Sequence, residues 1–308
     1  MAIDAQANLR SLRDVLRYAV TRFSERPIFY GHGQVDAFDE AALLVMRAMK
    51  LPLERMDIFL DAFLTHAEIN TLIELIERRV KKRVPVAYLL GEAWLQGYRF
   101  NVDSRVIIPR SFIAELLKEQ LAPWVPDPAA VSSILDLCTG SGCLAIIAAE
   151  LFEHAKVDAV DISVDALAVV ERNVEEYGLG ERVRAIESDL FQSLGAARYD
   201  LILCNPPYVT DQALATLPPE YSHEPTLALA GGPDGLDVVR QVIAEARAHL
   251  NPEGLLVVEV GDGRAALERQ YPRLPLTWAT TSAGDDMVFL ARADDLPGQA
   301  AAARPAAA

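Results

Sequence analysis

Cysteine is scarce. Cys138, Cys143 and Cys204 are the only three in 308 residues. Three thiols cannot all pair, which excludes a fully bridged disulfide framework and points to reduced thiols in the cytoplasm. No run of about 18 uninterrupted apolar residues occurs, so a membrane span is not expected. The start, Met1-Ala2-Ile3-Asp4-Ala5-Gln6, lacks the basic region and apolar core of a secretion signal. Histidines are few, and His32, His66, His154, His223 and His249 are scattered, with no pair at metal-ligand spacing on one helix face. No metal is expected. Positive charge is in deficit: the net charge is −15, with a pI near 4.8. The deficit is uneven. Residues 1–110 carry 16 Lys+Arg and 14 Asp+Glu, a net of +2, and the remainder carries 13 and 30, a net of −17. Such a body repels a phosphate backbone at long range and attracts a basic protein. Nucleic acid is therefore at most an incidental partner.

Hydrophobic residues make up 51% of the chain, enough for a sizeable core. Residues 8–90 carry apolar positions at helical spacing: Leu9, Leu12, Leu16 and Ala19; Leu43, Met46 and Met49; Leu72, Leu75, Ile76 and Val80. Pro85 ends the last of these. The basic run at 78–83 reads as a solvated helix end, with contact to RNA as a lesser reading. Trp94, Tyr98, Phe100, Val102, Val106 and Ile107 suggest a β-hairpin within 92–108. From 131 onward strands alternate with helices. Strands are expected at 133–137, 157–161, 183–186, 199–204 and 255–260, with helices at 143–153, 164–177 and 235–249. Trp278-Ala279 and 287–290 would form a final antiparallel pair. The alternation implies an α/β fold with a doubly wound sheet. The expected domains are a helical substrate-recognition domain (1–90), a hairpin linker (91–110), a catalytic domain (111–295) and a disordered Ala/Pro-rich tail (296–308).

Two loops carry the chemistry. Thr139-Gly140-Ser141-Gly142 joins a strand to a helix, where glycine lets the backbone turn tightly beside a ligand. Asp136 precedes it, Asp161 ends the next strand, and Asp189-Leu190-Phe191 follows the third. Carboxylates there disfavour a pyrophosphate and suit a cationic ligand. S-adenosylmethionine, with its ammonium and sulfonium, meets that requirement. Asp161 would accept the ribose hydroxyls, Asp189 the adenine amino group, and Leu190 or Phe191 would pack on the ring.

Asn205-Pro206-Pro207-Tyr208 follows the fourth strand. Its prolines fix φ and remove two donors, so their carbonyls stand as oriented acceptors. Asn205 adds a side-chain acceptor and Tyr208 an aromatic face. Together they make a slot for a planar NH₂ group. Hydrogen bonds from that group would push electron density onto a poorly nucleophilic nitrogen and stabilise charge developing there.

Segments 136–146 and 205–208 together resemble the protein glutamine N5-methyltransferases. Nucleic-acid amino methyltransferases share the nitrogen loop alone. Val106-Ile107-Ile108-Pro109-Arg110 is similar to the glutamine family's linker, Glu224–Gly232 with Asp234-Gly235-Leu236 to its post-loop segment, and Glu259-Val260-Gly261 to its fifth-strand end. Ser111–Leu116 departs from the release-factor branch and resembles the branch acting on the third protein of the large ribosomal subunit, as do Phe29–Gly33 and Arg83–Leu89. Phe112 is a departure from that ribosomal branch, which is expected to carry a proline there. The resemblance spans roughly residues 9–292. It implies a seven-stranded S-adenosylmethionine-dependent methyltransferase sheet and a large-subunit ribosomal protein as substrate, free or within an assembly intermediate. The alternatives are a release factor or, less favoured, a nucleic-acid base. The resemblance further implies that Asn205, Pro206, Pro207 and Tyr208 hold the glutamine amide and that Thr139, Gly140 and Gly142 meet the methionine part; for Arg110 and Glu115 it leaves substrate contact and a linker salt bridge or helix start as equal readings. His223 is the histidine nearest this region in sequence.

Overall fold

The computed structural model describes residues 8–298, which fall into two compact units. The expected tail lies, from residue 299 on, outside the described residues. One unit comprises the N-terminal region through Glu92 together with Pro218–His223. The other holds Ala93–Leu217 and the chain from Glu224. A segment downstream of the nitrogen loop thus belongs to the helical unit, which no local pattern of residues 218–223 announces.

In the helical unit, α1 (Leu12–Ser24), α2 (Ala37–Ala48), α3 (His66–Lys82) and α4 (Val86–Leu90) supply the main helices. Ser11 and Thr65 open α1 and α3 with capping boxes to Asp14 and Glu68, and Asp36 caps α2. These satisfy backbone donors that a helix start leaves orphaned. The apolar stripes meet in one core: Leu12, Val15, Leu16, Ala19 and Phe23 pack with Leu44, Val45, Ile69, Leu72, Ile73 and Ile76. Lys81 and Lys82 are exposed as expected, but Arg79 is not solvated; it is 0% exposed. Its Nε donates to Glu40 at 2.6 Å, Nη1 to Glu220 at 3.1 Å and Nη2 to the Phe29 carbonyl at 2.8 Å. A charge deep in a core persists only when fully paired. Glu220 thus fastens residues 218–223 to α3.

At the start of the second unit is a hairpin, β1 (Glu92–Leu95), whose first residue closes the helical unit, and β2 (Tyr98–Asn101). It ends sooner than the sequence suggested. Val106 and Ile108 are buried without being strand. After α5 (Ile113–Lys118) come β3 (Ser133–Leu137), α6 (Cys143–Leu151), β4 (Lys156–Asp161), α7 (Val164–Glu176), β5 (Val183–Glu187) and β6 (Tyr199–Cys204). Then follow α8 (Asp237–His249), β7 (Leu250–Glu259), α9 (Arg264–Gln270), β8 (Thr277–Thr281) and β9 (Gly284–Arg292). The seven-stranded sheet has the order β5-β4-β3-β6-β7-β9-β8. Its first five members are parallel, and β9 is antiparallel to both neighbours. Leu135, Leu137, Ile202, Cys204, Leu256 and Val258 share a core with Val239, Val242 and Ile243 of α8. α6 packs on β3, β4 and β5. Among the described residues, no helix is long and apolar enough to cross a membrane.

Candidate active site

The chain winds outward from β3 through β4 to β5, then returns to place β6 on the other side of β3. The order reverses between β3 and β6. At such a switch the loops beyond the carboxyl ends diverge and leave a crevice. Leu137 and Cys204 are register partners there, so both chemistry-bearing loops leave the sheet side by side.

A cavity of about 230 Å³ opens at this edge. Its wall includes Gly140, Asp161, Asp189, Leu190, Asn205 and Pro207. Arg105 is its one cation, and that guanidinium is committed to Asp103 at 2.7 Å. Two carboxylates with apolar surface suit a cationic ligand bearing a flat ring, and S-adenosylmethionine fits this donor set. Asp161 accepts from Gly140 N at 3.0 Å and Ser163 N at 2.9 Å, which aims the carboxylate. Burial raises its pKa, and backbone donors oppose the rise.

The other glycine-loop residues act from behind the wall. Thr139, Ser141 and Gly142 do not line the cavity, and neither does Asp136. Asp136 Oδ2 accepts from Thr139 Oγ1 at 2.6 Å and Ala145 N at 3.0 Å, stapling the loop to α6. Its Oδ1 is buried and has no hydrogen-bond partner among the described residues. Burial pushes this acid up to about 7. Ser141 offers its carbonyl to Asn173 at 2.9 Å.

Asn205 Oδ1 is likewise buried and unpartnered. Pro206 and Tyr208 stand outside the cavity wall. The Tyr208 hydroxyl donates to Glu259 at 2.8 Å. Arg110 and Glu115 do not line the cavity either. Arg110 forms a two-pronged pair with buried Glu224, at 2.6 and 2.8 Å, and Glu224 also accepts from Ile108 N at 3.0 Å. Glu115 accepts from Ser282 N at 2.8 Å. His223 belongs to the helical unit, where its ring nitrogen meets the Lys82 carbonyl at 2.8 Å. Ile107, Pro225, Leu227, Val238 and Gln241 are also among the lining residues, and sequence reasoning gave them no place there. The resemblance of 106–110 and 224–236 was a signal for the region, without individual roles. No group of metal-ligating side chains occurs among the described residues.

A doubly wound sheet of this order, with a cation-suited cavity at its switch point and an Asn-Pro-Pro-Tyr loop beside it, defines an α/β methyltransferase. The profile described as "Methyltransferase small domain" matches residues 114–217. The hMettl16 catalytic domain, solved in complex with MAT2A 3'UTR hairpin 1, has a similar fold. Its TM-score is 0.50 at 14% identity, covering 89% of each chain. Three similar relatives are named ribosomal protein uL3 glutamine methyltransferase. The one from Burkholderia pseudomallei (strain K96243) is 52% identical over 94% of this chain and 96% of its own. The one from Neisseria meningitidis serogroup A is 51% identical over 96% and 97%. The one from Bradyrhizobium diazoefficiens is 48% identical over 94% and 93%. The chain belongs to the family of ribosomal protein uL3 glutamine methyltransferases, and the fold and domain imply S-adenosylmethionine as methyl donor.

Proposed function

We propose that the protein methylates the side-chain amide nitrogen of a glutamine in ribosomal protein uL3. The observation that carries the chemistry is Asn205 Oδ1, a buried acceptor without a partner in the wall of the cavity. Leaving such an atom unmade costs about 1–3 kcal/mol, so the position is kept for a donor that arrives. One amide proton meets Asn205 Oδ1 and the other the Pro206 carbonyl. Both bonds draw positive charge off the nitrogen as it reacts, and they hold it in line. Such positioning is worth roughly 7–11 kcal/mol of barrier at best. Pro207 and Tyr208 stiffen the slot.

S-adenosylmethionine, when bound, supplies an electrophilic sulfonium methyl group. Asp161 would hold its ribose, Asp189 or Leu190 its adenine end, and Gly140 its methionine part. Thr139, Ser141, Gly142 and Asp136 shape the loop that receives it. The helical unit selects the protein substrate, and the reaction takes place in the cytoplasm. The near-50% identity to named relatives over nearly the whole chain supports the choice of acceptor.

The test offers undermethylated uL3, a release factor and RNA separately, with labelled S-adenosylmethionine. The expected result is one methyl group on one glutamine of uL3, located by mass spectrometry. Label on the release factor or RNA, with uL3 left bare, would overturn the assignment.

A further inference from the structure

Glu259 ends β7 and is 1% exposed. Three donors from two separate stretches converge on it. Ser111 Oγ reaches Oε2 at 2.7 Å, Phe112 N reaches the same oxygen at 2.9 Å, and the Tyr208 hydroxyl reaches Oε1 at 2.8 Å. Tyr208 is also held at its ring and its backbone. A Cβ added at Gly261 would lie 2.8 Å from ring atoms Cδ2 and Cε2, and one at Gly235 would lie 2.3 Å from the Tyr208 carbonyl oxygen. A side chain at either glycine would therefore collide with Tyr208 where it stands. Between Tyr208 and Asn205 stand two prolines of fixed φ, so the pose of the tyrosine is transmitted to the acceptors three residues away.

We propose that Glu259 is a positioning residue for methyl transfer. By holding the Tyr208 hydroxyl, it sets the direction in which Asn205 and Pro206 present their oxygens. By holding Ser111 and Phe112, it ties that direction to the segment after Arg110. The proposal rests on the reading that this loop receives the substrate amide. Its consequence is kinetic: acceptors displaced by about 1 Å cost up to about a hundredfold in rate while leaving ligand binding in place.

The experiment compares the full chain with Tyr208→Phe, Glu259→Gln and the double variant, using uL3 and labelled S-adenosylmethionine. Phenylalanine keeps the ring and removes only the hydroxyl. Glutamine keeps the size but brings an NH₂ that conflicts with Phe112 N or alters the tyrosine contact. Each single variant is expected to lower kcat about 10- to 100-fold, with the Kd for S-adenosylmethionine changed less than about threefold. The two losses should not multiply, because removing the hydroxyl already cuts the tether. Deuterium uptake by the peptide spanning 208–211 should rise in both variants, a readout that needs no acceptor. Wild-type kcat in Tyr208→Phe, multiplying losses, or unchanged uptake would overturn the proposal. Faster uptake together with a wild type that ignores uL3 would sink the acceptor assignment and leave the anchor standing.

Discussion

Asp136 sits fully buried beneath the glycine loop with one oxygen stapled and the other unpaired, and burial holds its proton until about pH 7. Its ordinary value is 3.8, so folding disfavours the carboxylate. Stability contributed by this group is full below about pH 4, falls as pH rises to 7 and is level above. A cationic ligand bound beside the same loop would favour the carboxylate and release that proton. S-adenosylmethionine should therefore bind more tightly as pH rises from 6 to 8, with proton release detectable by calorimetry in two buffers of different ionisation heat. In Asp136→Asn that pH dependence should vanish. Asn205 acts on the other reactant. Asn205→Ala removes the buried acceptor and is expected to lower kcat at least about 100-fold, as loss of one preorganised partner does elsewhere. Methyl transfer at saturating donor is the measurement, and retention of wild-type kcat would rule the amide slot out.

At the scale of elements, most of the sheet was legible. β3 and β6 match the expected 133–137 and 199–204 because short apolar runs bounded by turn residues have few other uses. β7 was harder. It begins at Leu250, yet Asn251-Pro252-Glu253-Gly254 reads as a turn. The pairing with β6 skips from Tyr199–Leu250 to Leu201–Leu255, and that irregularity absorbs the turn-like residues. Val102, Val106 and Ile107 looked like strand because they are apolar. They are apolar because the linker is buried or lines the cavity, a tertiary cause that local pattern cannot separate from pairing. The site was half legible: loops and acids stood out by type and order, but Glu259 became meaningful only once Ser111, Phe112 and Tyr208 were seen to converge on it. The strap at 229–235 was similar. Val209 N donates to the Leu229 carbonyl and Gly231 N to the Val209 carbonyl, both within 2.9 Å, so the strap pins the end of the nitrogen loop. Gly235→Ala, at φ +78 and against the Tyr208 carbonyl, should lower kcat more than tenfold. Near-wild-type kinetics in this variant would show that the strap yields.

At the scale of the whole molecule, the unequal charge of the two sequence regions remains a plain property of the chain, while the division into units does not follow the order of the residues. Glu220 meets Arg79 across 141 residues of sequence, and a single acid in a loop gives no hint of such a partner. Glu220→Ala should destabilise the helical unit by about 3 kcal/mol, because a buried guanidinium loses one of its carboxylates. Urea denaturation followed at helical wavelengths would measure it, and a change below about 1 kcal/mol would mean that Glu40 and the Phe29 carbonyl suffice. The same feature bears on how the protein can be dissected. A fragment beginning at Ala93 would carry residues 218–223 without α3, leaving a carboxylate and its flanking turn shaped for a guanidinium that is no longer there. A separable catalytic half cannot be cut from this chain with one stroke; the six-residue excursion would have to be spliced out and its ends rejoined.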